Sequence, residues 1–374
     1  MSEAPVVTDW TGIPPVEALP RAWGMPPVRG LLRAHPEDFN VEEVIDFTPE
    51  GRGEHVLLHV RKRGLNTEQV ARRIARVAGV PRSEVSYAGL KDRHAVTTQW
   101  FSVRLGGASE PDWRAIEDEA CQLIETWRHT RKLRRGALAA NRFRIVVRAL
   151  EGDFETLDAL IATIARHGVP NYFGEQRFGR SGRNIERALA LFRGESAPRD
   201  RTVRGLALSA ARSALFNVVL ARRVKENTWR SVLPGEAVIL DGSRSFFICE
   251  KVDAPILTRL AAGDVHPSGP LHGAGESPVR GTVLALERQA LAPFAELCAG
   301  LERAGLEQER RALRLLPRRF EATREHDLLM LDFELPAGAY ATAVLRELVL
   351  GIASTSNHNE ARSYAHRNPS RRRS

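Results

Sequence analysis

This chain of 374 residues has few cysteines, very few lysines and no long apolar run. Its three cysteines, Cys121, Cys249 and Cys298, are odd in number and far apart, which argues against a disulfide framework and against a cysteine-rich zinc site. A reducing cytoplasm is the expected setting. No stretch approaches the roughly 18 consecutive apolar residues that a membrane span needs, and MSEAPVVTDW at the start has neither a basic nor an apolar leader region. A soluble, cytoplasmic protein with no membrane partner is therefore expected. The sequence also lacks a GxxxxGKS/T loop and a GxGxxG turn between strand and helix, so there is no case for a nucleotide-fuelled or dinucleotide-dependent enzyme. It has no HExxH and its eleven histidines are scattered, so no metal is expected; a GxSxG elbow is absent too.

What is present is positive charge. The formal charge is +9 and the sequence pI is near 10.0, which suggests an anionic partner such as nucleic acid. Much of the excess lies in the tail, where residues 352–374 hold five arginines and one glutamate. Any RNA surface on the body must then come from where charge is placed. Only Lys62, Lys91, Lys132, Lys225 and Lys251 are lysines among 55 basic residues, a bias that GC-rich coding explains without nucleic-acid recognition.

The stretch SYAGLKDRHAVTTQWFSV, Ser86 to Val103, reads as strand, loop, strand. Its loop sets Asp92 among Lys91, Arg93 and His94, a field that favours an ionised carboxylate, as a nucleophile or general base requires. A solvated hairpin turn is the plain alternative.

Elsewhere, Val28–Arg33, Val41–Phe47 and Glu54–Val60 have strand character. Asn66 opens a helix with Gln69 at the capping-box position, and Gly79 and Pro81 stop it. Leu123–Trp127 and Arg142–Arg148 read as strands, and Leu157, Leu160, Ile161 and Ile164 mark an amphipathic helix ended by Gly168 and Pro170. NYFGEQRFGRSGRN, Asn171 to Asn184, mixes aromatics, arginines and glycines as a single-stranded RNA surface does, or is a structural loop with Tyr172 and Phe173 in the core. Helices are expected over Asn184–Phe192 and over Ser209–Lys225, the latter capped by Ser209. Short strands follow at Ala237–Leu240 and Ser245–Cys249, then a flexible stretch from Gly263 to Gly281, then helix from Leu286 to Leu315. Leu328–Leu335 is a strand and Tyr340–Leu350 a helix. The fold class is α+β with a mostly antiparallel sheet.

The run YAGLKDRHAVTTQW resembles the signature of the TruD family of tRNA pseudouridine synthases. Further blocks resemble that family in the same order: PEDFNVEEV (Pro36 to Val44), EGRGEH (Glu50 to His55), KRGLNT (Lys62 to Thr67), KLRRGAL (Lys132 to Leu138), NRF (Asn141 to Phe143), GVPNYFGEQRFG (Gly168 to Gly179), SAARSALFN (Ser209 to Asn217) and LPAGAYATAVLREL (Leu335 to Leu348). Together they span about residues 28–350.

The resemblance implies a pseudouridine synthase catalytic fold, a mixed and mostly antiparallel sheet flanked by helices, in residues 28–167 and 317–351. It implies an inserted α/β TRUD domain over 168–316; composition by itself gives a loose Pro-rich lead-in over 1–27 and a basic, disordered tail over 352–374. It implies isomerisation of uridine, U13 in the D arm of tRNA, with Asp92 as the nucleophile, no cofactor and a monomeric protein. Phe39, Asn141 and Tyr340 match positions that contact the target uridine or its surroundings, and Lys91 and Phe143 sit inside the same motifs. Tyr340 stands where the family often has Phe, and Arg33 where a Lys is familiar, so the donor geometry at that position changes. The residues themselves leave open whether Asp92 attacks base or sugar, and whether Asn141 reads a uracil edge or satisfies backbone groups. A noncatalytic RNA-binding protein and a nucleosidase-like hydrolase are the other classes, the second weakened by the lack of a clear second carboxylate motif.

Overall fold

The computed structural model describes residues 12–352, apart from His94, Gly107, Ala108, Arg135, Gly136, Ser196, Ala197 and Arg199. The His94 imidazole and the tail beyond Ile352, both invoked above, lie outside the described residues. In chain order the first part forms β1 (Val28–Leu32), β2 (Phe39–Val44), β3 (His55–Arg63), α1 (Thr67–Ala78), β4 (Val85–Tyr87), β5 (Val96–Arg104), β6 (Cys121–His129), β7 (Ala140–Gly152) and α2 (Phe154–His167). The middle forms β8 (Val169–Pro170), α3 (Arg183–Phe192), α4 (Arg201–Lys225), β9 (Glu236–Leu240), β10 (Phe246–Cys249), α5 (Ala254–Ala262), β11 (Val265–Leu271), α6 (Gly281–Leu291), α7 (Ala295–Arg303), β12 (Glu309–Ala312) and β13 (Arg314–Leu315). The last part forms β14 (Arg318–Glu325), β15 (Leu328–Pro336), α8 (Ala341–Leu348) and β16 (Val349–Ile352). These elements cluster into two compact units. One comprises Pro26–Ile161, Pro317–Gly338 and the chain from Leu348; the other comprises the chain up to Met25, Ala162–Leu316 and Ala339–Glu347.

The first unit is built on a sheet ordered β14-β15-β7-β2-β5-β3-β6, with β1 beside β7 and β16, and β4 beside β5. Its pairs are antiparallel except β2 with β5 and β1 with β16. The two-residue period of β2 sorts its side chains: Phe39, Val41 and Glu43 stand opposite Ile145, Phe143 and Asn141 of β7, so all six share one face. Helix α1 starts where Asn66 Oδ1 accepts the Gln69 amide at 2.9 Å while the Gln69 side chain accepts the Asn66 amide at 2.8 Å. Gly79 ends it in the left-handed region, φ 64°. Val70, Ala71, Ile74 and Ala75 are its buried stripe, packed with Val56, Leu58 and Val60 of β3 and Phe101 and Val103 of β5. Each of the Val, Leu, Ile and Phe side chains among them contributes about 1.5–3 kcal/mol by leaving water.

In the second unit α4 is the central core helix, with Ala207, Ala210, Ala214, Leu215, Phe216, Val219 and Leu220 buried. By length and composition it is apolar enough to cross a membrane, but those residues are packed in the protein's own core. A second sheet runs β10-β9-β11-β12, and β8 pairs with β13. Gly168 precedes β8 with φ 75°, and a Cβ there would meet the Leu315 carbonyl oxygen at 2.4 Å, so only glycine fits.

Several expectations are corrected. Helix α4 begins at Arg201, capped by Asp200 accepting the Thr202 amide, and Ser209 lies inside it. The stretch around His266 is the buried strand β11, where Pro267 accepts from the Leu313 amide at 2.9 Å and the Arg310 guanidinium bonds Ser268. Helix ends at Arg303, because Glu309–Ala312 pairs with β11 and Arg314–Leu315 with β8. Of the lead-in, Leu19 is buried and the Trp23 indole donates to the Gly168 carbonyl at 3.0 Å, so this part is packed, not loose.

Candidate active site

Asp92 lies in the loop between β4 and β5, and its side chain retains 24% of its exposure. Thr67 Oγ1 accepts the Lys91 amide at 3.0 Å, Gln99 Nε2 donates to the Gly89 carbonyl at 3.3 Å, and Arg93 Nε donates to the Gly64 carbonyl at 2.9 Å. Lys62 Nζ donates to the carbonyls of Asp92 itself, 3.0 Å, and Leu65, 2.7 Å. The loop is thereby fastened to the end of β3 and the start of α1, which is not how a solvated hairpin turn behaves.

The Asp92 carboxylate accepts from Arg33 Nη1 at 3.0 Å. Arg33 follows β1 with φ 58°, a left-handed conformation that costs a residue with a Cβ about 1–2 kcal/mol. Its guanidinium carbon lies 4.2 Å from the centre of the Phe39 ring. Phe39 is placed by the turn before it: buried Asp38 accepts the His35 amide at 2.9 Å and is held by the Arg148 guanidinium at 2.8–3.0 Å. Phe39 meets Phe143 edge-on, centres 6.3 Å apart, and Phe143 stacks on Phe333 at 5.5 Å.

Lys91 turns from the loop toward β2 and β7. Its Nζ is 2.9 Å from Glu43 Oε1 and donates to Asn141 Oδ1 at 2.5 Å. Glu43 has no side-chain exposure, and its other oxygen accepts the Trp100 amide at 2.8 Å. Burial pushes the Glu43 carboxyl above its ordinary range, against the pull of Lys91. Burial also lowers Lys62, to about 8, with Lys91 adding to the fall and Asp92 opposing it.

Asp92, Arg33, Phe39, Lys91, Asn141 and Phe143 are thus brought together within one unit. Tyr340 belongs to the other, where it is half-buried, 6.0 Å from Phe173 and 5.8 Å from the Arg177 guanidinium carbon. Of the aromatics in the Asn171–Asn184 stretch, Tyr172, Phe173 and Phe178 are buried core residues, so the structural reading of those rings holds. Among the described residues no group of three His, Cys, Asp or Glu side chains is placed to hold a metal ion.

Lys62, Glu43, Thr67 and Gln99 were not singled out in sequence. The signals were faint: Lys62 is a rare lysine in an arginine-rich chain, and Glu43 is an acid in register with inward-facing Phe39 and Val41.

A family model described as tRNA pseudouridine synthase D (TruD) matches residues 16–198 and 195–348. The tRNA pseudouridine synthase D of Methylococcus capsulatus is 55% identical over 337 residues, covering 90% of this chain and 95% of that protein. The protein of the same name from Nitrosococcus oceani is 51% identical over 330 residues, covering 87% and 92%. A crystal structure from Methanosarcina mazei, assigned there provisionally as tRNA pseudouridine synthase D, superposes with a TM-score of 0.67 at 22% identity, covering 93% of this chain and 98% of that one. At that identity the likeness shows the shared α+β fold.

Proposed function

Because the chain belongs to the TruD family of tRNA pseudouridine synthases, we propose that it isomerises uridine to pseudouridine in tRNA, at U13 of the D arm, with Asp92 as nucleophile. The observation that carries this reading is the Asp92 carboxylate itself, partly open to solvent, oriented by Arg33 and borne on a loop fastened through Lys62 and Thr67. The reaction breaks the bond from N1 of uracil to C1′, turns the base, and joins C5 to C1′. N1 gains a proton and C5 loses one, so no redox partner or outside group is needed. One carboxylate that captures either the base or the sugar suffices to hold the intermediate.

The target base must leave its stack to reach that carboxylate, at a cost of about a few kcal/mol. Phe39 and Phe143 lie on the same sheet face but both are buried, Phe39 under the Arg33 guanidinium, so a base that stacks on Phe39 must displace Arg33. Asn141 spends its Oδ1 on Lys91, which leaves its amide hydrogens to meet a uracil carbonyl. Lys91, committed to Glu43 and Asn141, orients these groups. For Tyr340 the support is the resemblance alone. The enzyme is read as a cytoplasmic monomer that works without a cofactor.

The test is purified protein with unmodified tRNA, pseudouridine mapped by position, beside Asp92→Asn. Wild type forms pseudouridine at U13, and the variant loses about a thousandfold or more in rate while binding tRNA within a few-fold. Pseudouridine formed by the variant at the wild-type rate sinks the assignment of Asp92; its formation elsewhere sinks U13.

A further inference from the structure

Lys62 is fully buried at the end of β3, with 1% of its surface exposed. Among the described residues it forms no ion pair; its ammonium is spent on the carbonyls of Leu65 and Asp92. Taking an ammonium out of water costs several kcal/mol, which an apolar side chain of the same length avoids. Packing therefore does not explain a lysine here. What Lys62 does that methionine cannot is join the backbone of Asp92 to the turn that opens α1.

We infer that Lys62 is a positioning residue for the reaction: by clamping the Asp92 carbonyl to the Leu65 carbonyl, it fixes the direction in which the Asp92 carboxylate leaves its loop. This rests on Asp92 as the nucleophile. Misplacement of a reacting group by about 1 Å costs on the order of a hundredfold in rate, so the clamp governs turnover more than substrate affinity. The clamp is charge-assisted, and such bonds are roughly twice as strong as neutral ones. The charged groups acting on Lys62 are the Asp92 and Glu43 carboxylates, which favour the ammonium, and the Lys91 ammonium, which opposes it; Cys121 would favour it only as a thiolate. With Lys62 titrating at about 8 and Cys121 pushed up to about 11, the clamp weakens between pH 7 and 9 while the thiol stays neutral.

The experiment is single-turnover pseudouridine formation with full-length protein, comparing Lys62→Met, Lys62→Gln and Asp92→Asn with wild type. Lys62→Met is expected to lose about thirtyfold in rate with tRNA affinity within threefold and an unchanged circular-dichroism spectrum. Lys62→Gln, a neutral donor, recovers part of that loss at pH 7. The ratio of wild-type to Lys62→Gln rates then falls toward pH 9, since only the wild type titrates; ionisation of the substrate cancels in the ratio. A folded Lys62→Met with the wild-type rate, a loss confined to affinity, or a ratio flat with pH overturns the inference. If Lys62→Met does not fold, the Lys62→Gln ratio decides alone. Wild type that forms no pseudouridine, or an active Asp92→Asn, defeats the reading of Asp92 instead, and is distinguished by those arms.

Discussion

Glu43 is the member of the site whose replacement separates hydrogen bonding from charge. Its carboxylate is wholly buried, accepts the Trp100 amide at 2.8 Å and stands 2.9 Å from Lys91 Nζ. Glu43→Ala leaves a buried amide without an acceptor, which costs about 1–3 kcal/mol, and strips a partner from a largely buried ammonium. Together these bring the loss to about 3–5 kcal/mol, the range for breaking a buried ion pair. For a unit of this size that lowers the melting temperature by roughly 6–20 °C. Glu43→Gln keeps the acceptor for Trp100 and removes only the charge. Because burial raises the carboxyl above its ordinary value despite Lys91, the folded state holds that proton more tightly than the unfolded chain. Ionising it therefore costs stability progressively as pH rises from about 4.5 through the raised value, and a neutral amide escapes that cost. Glu43→Gln is accordingly expected within about 1 kcal/mol of wild type at pH 7, with the difference shifting in favour of the amide as pH rises from 4. Differential scanning calorimetry across that range measures both. If the glutamine variant melts as low as the alanine variant, the ion pair and not the hydrogen bond supports the loop, and the reasoning is refuted.

At the start of α1, Asn66→Ala removes the acceptor for the Gln69 amide and is expected to cost about 1 kcal/mol by urea denaturation; no loss would show the cap to be idle. In the second unit the Arg223–Glu236 pair is buried at both ends, so Arg223→Met leaves an unpaired carboxylate and costs about 3–5 kcal/mol by the same assay. Adding Glu236→Leu should restore most of that; a double variant as weak as the single would show the cost to be packing. Hydrogen bonds from Arg142 hold the Asp332 carboxyl below its ordinary range. Its contribution is present above about pH 4 and lost as pH falls through the lowered value, so the melting difference between wild type and Asp332→Asn should be full at pH 6 and close toward pH 2. A difference that persists unchanged at pH 2 would show that the charge plays no part.

The sequence alone determined the α+β class, the antiparallel strand pairs around the Asp92 loop and the whole of α1, because capping residues, a stop glycine and alternation of side chains are local rules. It did not place Phe39 in a strand or single out Glu43; the pairing of β2 with β7 put both on one face. Where two local readings compete, only the tertiary structure decided. Ser209 and Asp200 are both good caps, and burial of Ala207 within α4 selects the earlier one. The run from Gln308 to Leu315 is made of good helix formers, and its pairing with β11 and β8 makes it strand. Val265–Leu271 carries two prolines, yet pairs with β9 on one side and β12 on the other, while the Arg310 side chain and the Leu313 amide donate to its Ser268 and Pro267 carbonyls. The partners of Asp92 were beyond sequence for the same reason: Arg33 is 59 positions away and Lys62 is 30, and what joins them is the strand order that brings β1, β3 and the loop before β5 to one face.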